Sequence, residues 1–391
     1  MGITLLHYLL LAAFFYLIIT SFILIRNRYE LTELPNSSSE VEHSKFISVC
    51  IPARNEEMNI GNLLSTVLKQ NYPNYEVIVL DDQSTDATPQ IIDQFKKQYP
   101  KKLTSYTGKP KPDDWLGKPW ACHQLGQHAT GDLLLFLDAD TQLEKDALEK
   151  VAAGFSVYNL DMLTVWPRQE LVTFWEKTVI PLVYFALITL LPTIYVYRKP
   201  RWMPDLFYQS IRDKFAAANG QCVAFKKSSY QAIGGHTSVK NEVVEDVALA
   251  RNIKKAGLQM RMFTGLNSIW CRMYQSHEEM FEGFRKNFLA GFGNSLLLFT
   301  LAGLLHFLVF ILPFAVLFGQ LYFYNPLLFF LSAAAVSIIF LQRFLVSQWF
   351  QWDPLYVFLH PIGVLWFQRL GITKIFDKLY QRSSTWKGRN V

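Results

Sequence analysis

Cysteine is scarce in this chain, four among 391 residues, and the four are scattered at Cys50, Cys122, Cys222 and Cys271. No C-x-x-C pair and no histidine at zinc-ligand spacing accompanies them, which excludes a structural zinc module and a disulfide framework. Reduced, structural thiols in a cytosolic domain are the expectation. Charge is thin as well: 18% of residues are charged, against 51% hydrophobic and 15% aromatic, with a net charge of +6. No basic stripe occurs outside the flanks of the apolar segments, so a pI of 8.9 does not point to nucleic acid. The N-terminus lacks the basic n-region and the small-x-small site of a cleaved signal peptide. Leu6 stands where a myristoylation motif needs Ser or Thr. No internal repeat is apparent.

Long hydrophobic runs are what the chain does have. The mean hydropathy of +0.13 is too high for a simple soluble enzyme of this charge content. Ile3 to Ile25 is long enough to cross a bilayer, and Arg26 and Arg28 follow it, which puts that end in the cytoplasm. Ser295 to Gln320 and Pro326 to Phe340 read as a membrane hairpin. Arg285 and Lys286 before it and Arg343 after it place both of its ends on the same side. Trp349 to Leu370 is apolar but carries Pro354 and Pro361, so a re-entrant or interfacial element is expected there. The tail, with Lys374, Lys378, Arg382, Lys387 and Arg389, is basic enough to meet anionic headgroups. Val179 to Tyr197 contains Pro181 and Pro192 and is expected to lie on the membrane surface as an interfacial helical pair. The expected organisation is an anchor over residues 1–28, a tether over 29–44, a catalytic domain over 45–290 with interfacial helices near 170–199, a hairpin over 291–345, and the re-entrant segment and tail over 346–391.

Between the membrane segments strands and helices alternate. Phe46 to Pro52 is a strand, with Asn55 capping a helix from Glu56 to about Gln70. Glu76 to Leu80 is a second strand, and Ala87 to Tyr99 a helix. Leu103 to Tyr106 is a third strand and Trp120 to Ala129 a helix. Leu133-Leu134-Leu135-Phe136-Leu137 is an unbroken apolar run suited to a strand covered on both faces. This succession implies an α/β domain with a mainly parallel sheet.

The strand ends carry the chemistry. The Leu133–Leu137 run stops at Asp138-Ala139-Asp140; residues two apart on a continuing strand share a side, and two hard oxygen ligands suit Mg²⁺ or Mn²⁺ together with substrate phosphates. Asp81-Asp82 ends a second strand in a hydroxyl-rich loop, Gln83-Ser84-Thr85-Asp86, suited to a base or ribose. Pro52-Ala53-Arg54-Asn55-Glu56 closes the first strand. Three such loops at the carboxyl ends of strands look like a nucleotide site with a divalent ion.

These segments, in order, resemble the family 2 glycosyltransferases of the GT-A fold: Ile51-Pro52-Ala53-Arg54-Asn55-Glu56-Glu57, the stretch from Gln70 to Asp86, Gly117-Lys118, and Leu137-Asp138-Ala139-Asp140. The resemblance covers about residues 45 to 290. It implies that Asp81 and Asp82 recognise the uracil and ribose of a UDP-sugar, with Pro52, Arg54 and Glu56 around the base. It implies that Lys118 lies near the diphosphate, and that Asp138 and Asp140 form the metal pair, Asp140 coordinating directly. Glu245-Asp246 resembles the motif whose Asp is the catalytic base. Asp246 begins a helix, so the helix dipole is expected to favour its ionised form. Single displacement at the anomeric carbon would invert its configuration.

One family feature departs from the pattern. Lipid-linked and processive relatives carry Q-x-x-R-W, whereas this chain has Phe284-Arg285-Lys286-Asn287. The missing Trp argues against a processive polysaccharide synthase; Arg285 or Lys286 could still face the diphosphate, or simply flank the membrane. Trp115-Leu116-Gly117-Lys118-Pro119-Trp120 and Trp386-Lys387-Gly388-Arg389 look most like the bacterial carotenoid and hopanoid branch. The expectation is an inverting enzyme, with a cytoplasmic catalytic domain on the cell membrane, that moves a hexose from a UDP-sugar to an isoprenoid lipid. Diacylglycerol, ceramide and polyprenyl phosphate are the alternative acceptors. A membrane scaffold with a vestigial nucleotide fold is a further reading.

Overall fold

The computed structural model describes residues 4–36, 45–380, 385–386 and 389–390. Half of the expected tether, residues 37–44, and the tail residues Arg382, Lys387 and Gly388 lie outside them. The chain forms two compact units. One comprises Leu31–Glu170 and Thr193–Met273; the other comprises Met1–Glu30, Leu171–Pro192 and Tyr274–Val391. Residues 171–192 and 274–290, drawn from the sequence as part of the catalytic domain, thus belong with the apolar helices.

The first unit is built on eight strands: β1 Ile47–Ala53, β2 Tyr75–Asp81, β3 Leu103–Thr107, β4 Leu133–Leu137, β5 Thr141–Leu143, β6 Met162–Gln169, β7 Cys222–Lys226 and β8 Met260–Cys271. They form one sheet in the order β3-β2-β1-β4-β7-β6-β8-β5. β1, β2, β3 and β4 run parallel, while β7 pairs antiparallel with both β4 and β6. All five residues of β4 are buried, because this strand has β1 on one side, β7 on the other, and packing on both faces. That is why its side chains do not alternate between apolar and polar. The core joins Val49 and Ile51 of β1, Val77 and Val79 of β2, and Leu133, Leu135 and Leu137 of β4 to Leu63, Leu64 and Val67 of the helix Ile60–Val67.

That helix starts later than the sequence suggests. Asn55, read as its cap, has φ of 52°, so the chain is still in a loop there, and Asn59 occupies the cap position. The helices Thr88–Gln98 and Gly117–His128 match the expected segments within three residues.

Entry into β4 depends on Gly131. A Cβ at this position would lie 2.6 Å from the backbone nitrogen of Ser48 and 2.7 Å from the carbonyl oxygen of Phe46. Neither atom can move without breaking the pairing of β1 with β4. Gly131→Ala is therefore expected to cost about 1–3 kcal/mol, as overpacking does. A thermal unfolding midpoint equal to that of the parent would refute the close-approach argument.

The second unit is helical. Among the described residues, four segments are long and apolar enough to cross a membrane: Leu5–Glu30, Leu296–Gly319, Pro326–Trp349 and Pro354–Leu379. The segment expected to be broken near Trp349 to Leu370 does leave the helix after Trp349, passes through a 3-10 turn over Pro354–Leu359, and from His360 runs as one continuous helix to Leu379. Its Pro361 lies in the first turn, and Pro354 opens a short 3-10 turn, positions where no helical N–H is lost. Within the segment expected as an interfacial pair, Phe174–Leu190 is a helix most of whose side chains are buried in this unit, and a second, short helix, Ile194–Tyr197, follows Pro192 and belongs to the first unit.

Polar contacts fix these helices to one another. The Gln342 amide donates to Leu17 O at 2.9 Å and to Ser21 Oγ at 2.7 Å, and Asn27 donates to Ile188 O and Leu191 O, both at 2.7 Å. Small and amide side chains are the usual means of joining helices that have no apolar driving force between them.

Candidate active site

The sheet reverses its strand order between β1 and β4, with β2 and β3 on one side and the later strands on the other. Ligands of open α/β sheets bind at such a switch point, beyond the carboxyl ends of the strands. Two groups of side chains gather there.

The first joins the loops after β1 and β2. Arg54 Nη1 donates to the carbonyls of Asp82 at 2.6 Å and Gln83 at 3.0 Å. Asp82 N donates to Ala53 O at 2.7 Å, Thr85 N to Asn55 Oδ1 at 2.9 Å, and Glu56 N to Thr88 Oγ1 at 2.7 Å. Asp81 is the last residue of β2, and its Oδ1 accepts from Ser84 N at 3.1 Å, folding the acidic loop back on its strand. Asp82 is 4% exposed. Arg54 and the carboxylates expected around a nucleotide base thus form one pre-ordered edge. Part of Arg54's work is to hold the two loops together.

The second group surrounds Lys118, in the first turn of Gly117–His128. Its Nζ lies 2.7 Å from Asp138 Oδ1 and 3.1 Å from Glu245 Oε1. Asp138 directly follows β4, and Glu245 and Asp246 open the helix Glu245–Lys255. A cavity is lined by Pro52, Lys118, Asp138, Gly220, Glu245 and Asp246 with apolar walls that include Phe136 and Leu249. Residues that are far apart in sequence but were singled out for one reaction therefore share one wall.

Electrostatics distinguish the members of this group. Burial opposes the Lys118 charge, but Asp138 and Glu245 outweigh it and hold its pKa well above the ordinary lysine value. Burial also pushes Glu245 upward, yet the Lys118 ammonium and the hydrogen bonds to the carboxylate together draw it the other way, and it is lowered overall. Asp246 takes the opposite course: burial, and then the Glu245 charge beside it, push it up to about 7. The expectation that the helix dipole keeps Asp246 ionised is therefore corrected. A dipole contribution of about 0.3–1 kcal/mol is smaller than the penalty of burying a second carboxylate next to an ionised one.

Asp138 and Asp140 do not project side by side as a continuing strand would require. β4 ends at Leu137, and Thr141 N returns to Asp138 O at 3.1 Å in a turn. Asp138 meets Lys118, whereas Asp140 accepts a hydrogen bond from the buried Cys271 thiol, whose pKa burial and Asp140 both raise. No three His, Cys, Asp or Glu side chains among the described residues come together as a metal cluster. Two carboxylates and a turn between them fit an ion that takes its remaining ligands from substrate phosphates and water, as Mg²⁺ commonly does, and not an all-protein cage.

Two lining residues escaped the sequence reading. His236 is 3% exposed, its Nδ1 is 2.7 Å from Tyr230 Oη, and it packs edge-on against Phe136; burial lowers its pKa to about 3, so it is neutral. A lone histidine in a polar stretch carries no sequence signal for this. Gly220 lies where a Cβ would be 3.2 Å from both Asp246 Oδ2 and Lys118 Nζ. Its only mark in sequence is its place just before β7.

Arg285 belongs to the helical unit. Its Nε and Nη2 donate to the two carboxylate oxygens of Asp377, each at 2.6 Å, and its Nη1 to Glu282 at 3.0 Å. Its charge is engaged within that unit. Lys286 lies in the same helix, His277–Asn287.

Comparison with known proteins agrees with this geometry. Residues 48–234 match the family described as Glycosyl transferase family 2. A 4,4'-diaponeurosporenoate glycosyltransferase of Staphylococcus aureus (strain USA300) is 30% identical over 254 residues, 64% of this chain and 63% of the relative. A protein of the same description from Staphylococcus haemolyticus is 26% identical over 288 residues, 70% of this chain and 68% of that one. The match thus spans somewhat under two thirds of the length of the S. aureus relative. Among solved structures, a mannosyltransferase from Pyrobaculum calidifontis in complex with GDP-Man and Mn²⁺ is similar with a TM-score of 0.57 at 16% identity, covering 97% of this chain and 100% of that one. That likeness shows the fold, the GT-A α/β arrangement.

Proposed function

We propose, from the match of residues 48–234 to glycosyl transferase family 2, that the chain is a member of that family and transfers a hexose, glucose in our reading, from a UDP-sugar to an isoprenoid lipid with inversion. The observation that carries this is the meeting of Lys118, Asp138, Glu245 and Asp246 around one cavity at the switch point of the sheet. The relatives named for 4,4'-diaponeurosporenoate support a carotenoid acid or a similar lipid as acceptor. The four apolar helices support a multi-pass protein of the cell membrane. We place the catalytic unit on the cytoplasmic side, from the arginines after the first span.

In this reading the loops after β1 and β2, with Arg54, Glu56, Asp81 and Asp82, receive the uridine. Lys118 brings positive charge to the diphosphate side and, by pairing with Glu245, keeps that carboxylate ionised without leaving it uncompensated. Where the acceptor is a hydroxyl, Asp246 takes its proton as it attacks the anomeric carbon, and a group near pH 7 is well matched to that task; a carboxylate acceptor attacks already ionised. Asp138 and Asp140 would hold Mg²⁺ or Mn²⁺, whose charge would offset that of the departing diphosphate.

The test is mass spectrometry of lipids from cells that express the chain or its Asp140→Ala variant. A lipid heavier by one hexose, present with the parent and at least tenfold reduced with the variant, is expected. The same lipid profile from both would sink the assignment, and long polymeric products would move it to a polysaccharide synthase.

A further inference from the structure

Arg343 lies within the helix Pro326–Trp349, six residues before its end, and is 1% exposed. Its Nε and Nη1 donate to no group among the described residues. His360, the first residue of His360–Leu379, is fully buried, and neither of its ring nitrogens has a partner there. The two share a wall: the Phe185 ring lies 5.8 Å from the Arg343 guanidinium and 5.6 Å from the His360 ring. Phe310 and Phe314 complete it, at 5.3 and 6.3 Å from His360. Burying a guanidinium in an aromatic box costs several kcal/mol unless an anion or strong acceptor accompanies it.

We propose that the Arg343 guanidinium and the His360 ring form a site for the oxyanion of a membrane lipid, a phosphate or a carboxylate. The depth suits such a group. A 24-residue helix is about 36 Å long against a hydrocarbon core of about 30 Å, so a residue about 9 Å from its end sits only a few ångströms inside the polar boundary. Ionisable side chains at this level that face the interior of a helix bundle commonly mark a ligand or ion path. An arginine serving only to reach the interface would be exposed at its tip, and this one is not. The inference rests on the membrane assignment and not on the transferase reading, so sugar-transfer assays do not bear on it.

Native mass spectrometry of the full chain in detergent, titrated with phosphatidylglycerol, oleate or phosphatidylcholine, tests it. The parent is expected to retain one equivalent of an anionic lipid at least tenfold more tightly than phosphatidylcholine. Preference for phosphatidylglycerol identifies a phosphate, and preference for oleate a carboxylate. Arg343→Gln should weaken retention at least tenfold and Arg343→Lys should restore most of it. Should Arg343→Gln not survive extraction, His360→Gln carries the comparison, with an expected loss of at least threefold. Retention equal in parent and variant, or no preference for anionic lipid, would overturn the site, even if Arg343→Gln lowered thermal stability.

Discussion

Asp246→Asn should reduce transfer to a hydroxyl-bearing lipid by about 10²–10⁴, the range typical of a lost general base. Transfer to an isoprenoid carboxylate, whose oxygen is already ionised, should fall by no more than about tenfold, since general-base help is then unnecessary. Paired assays of the two acceptors in detergent read the difference directly. The parent's rate on the hydroxyl acceptor should rise with pH through about 7, where Asp246 loses its proton. An unchanged rate on the hydroxyl lipid would remove Asp246 from the role of base.

The same substitution makes a separate prediction about stability. The folded pKa of Asp246 is raised to about 7 from an unfolded value near 3.9. A raised carboxyl pKa means that the folded state binds the proton better, so its contribution to stability is fully present below pH ~3.9 and is lost as pH rises through about 7. Asparagine carries no such penalty. The thermal midpoint of Asp246→Asn should therefore exceed the parent's at pH 8, with the advantage shrinking as the pH falls. Loss of activity accompanied by a gain in alkaline stability is the pattern of a group held unfavourably for function, and a merely structural residue would not give it.

What was legible in the sequence follows from how local each feature is. β1, β2 and β4 are legible because each is a largely apolar run bounded by turn residues, and β4, buried on both faces, carries the clearest signal. The antiparallel pairing of β7 with β4 and β6 could not be read, because it depends on contacts about 60 to 90 residues apart that leave no local period. The site residues were identifiable as types at strand ends and at a helix start. Their mutual geometry was not: the ion pair of Lys118 with Glu245 joins positions 127 apart. The reversal of Asp246's expected charge has the same origin, since the helix dipole is a local effect and the burial and Glu245 charge that overcome it are tertiary. In the helical unit, Pro354 and Pro361 mark the boundary after Trp349, but both stand at element starts, so neither interrupts the helix that runs on to Leu379.

Replacing Lys118 with Met should cause the largest combined change in stability and rate. The ammonium faces two carboxylates at 2.7 and 3.1 Å, and Asp246 lies on the same cavity wall. Removing one partner of a buried pair commonly costs about 3–5 kcal/mol; the Lys118 side chain is 35% exposed, and solvent screening reduces the expected loss to about 2 kcal/mol. The pH window follows from the shifts. Lys118 is raised, so its contribution is present below its unfolded pKa near 10.4 and is lost only above its elevated folded value. Glu245 is lowered, so its share is present above about 4.3 and is lost as the pH falls through its depressed folded pKa. The parent should accordingly exceed Lys118→Met in stability from about pH 5 to 10, and the two should converge in acid. Without the ammonium, Asp246 loses the neighbouring positive charge that holds its pKa down, so the rising limb of the rate profile should move upward by about one pH unit or more. Lys118→Arg preserves the charge in a broader, planar head that fits this narrow position poorly, and it should recover most of the stability but less of the rate. Thermal melts and pH–rate profiles of the three proteins separate the two effects. A Lys118→Met enzyme whose profile coincides with the parent's would mean that Lys118 does not govern the ionisation of this site.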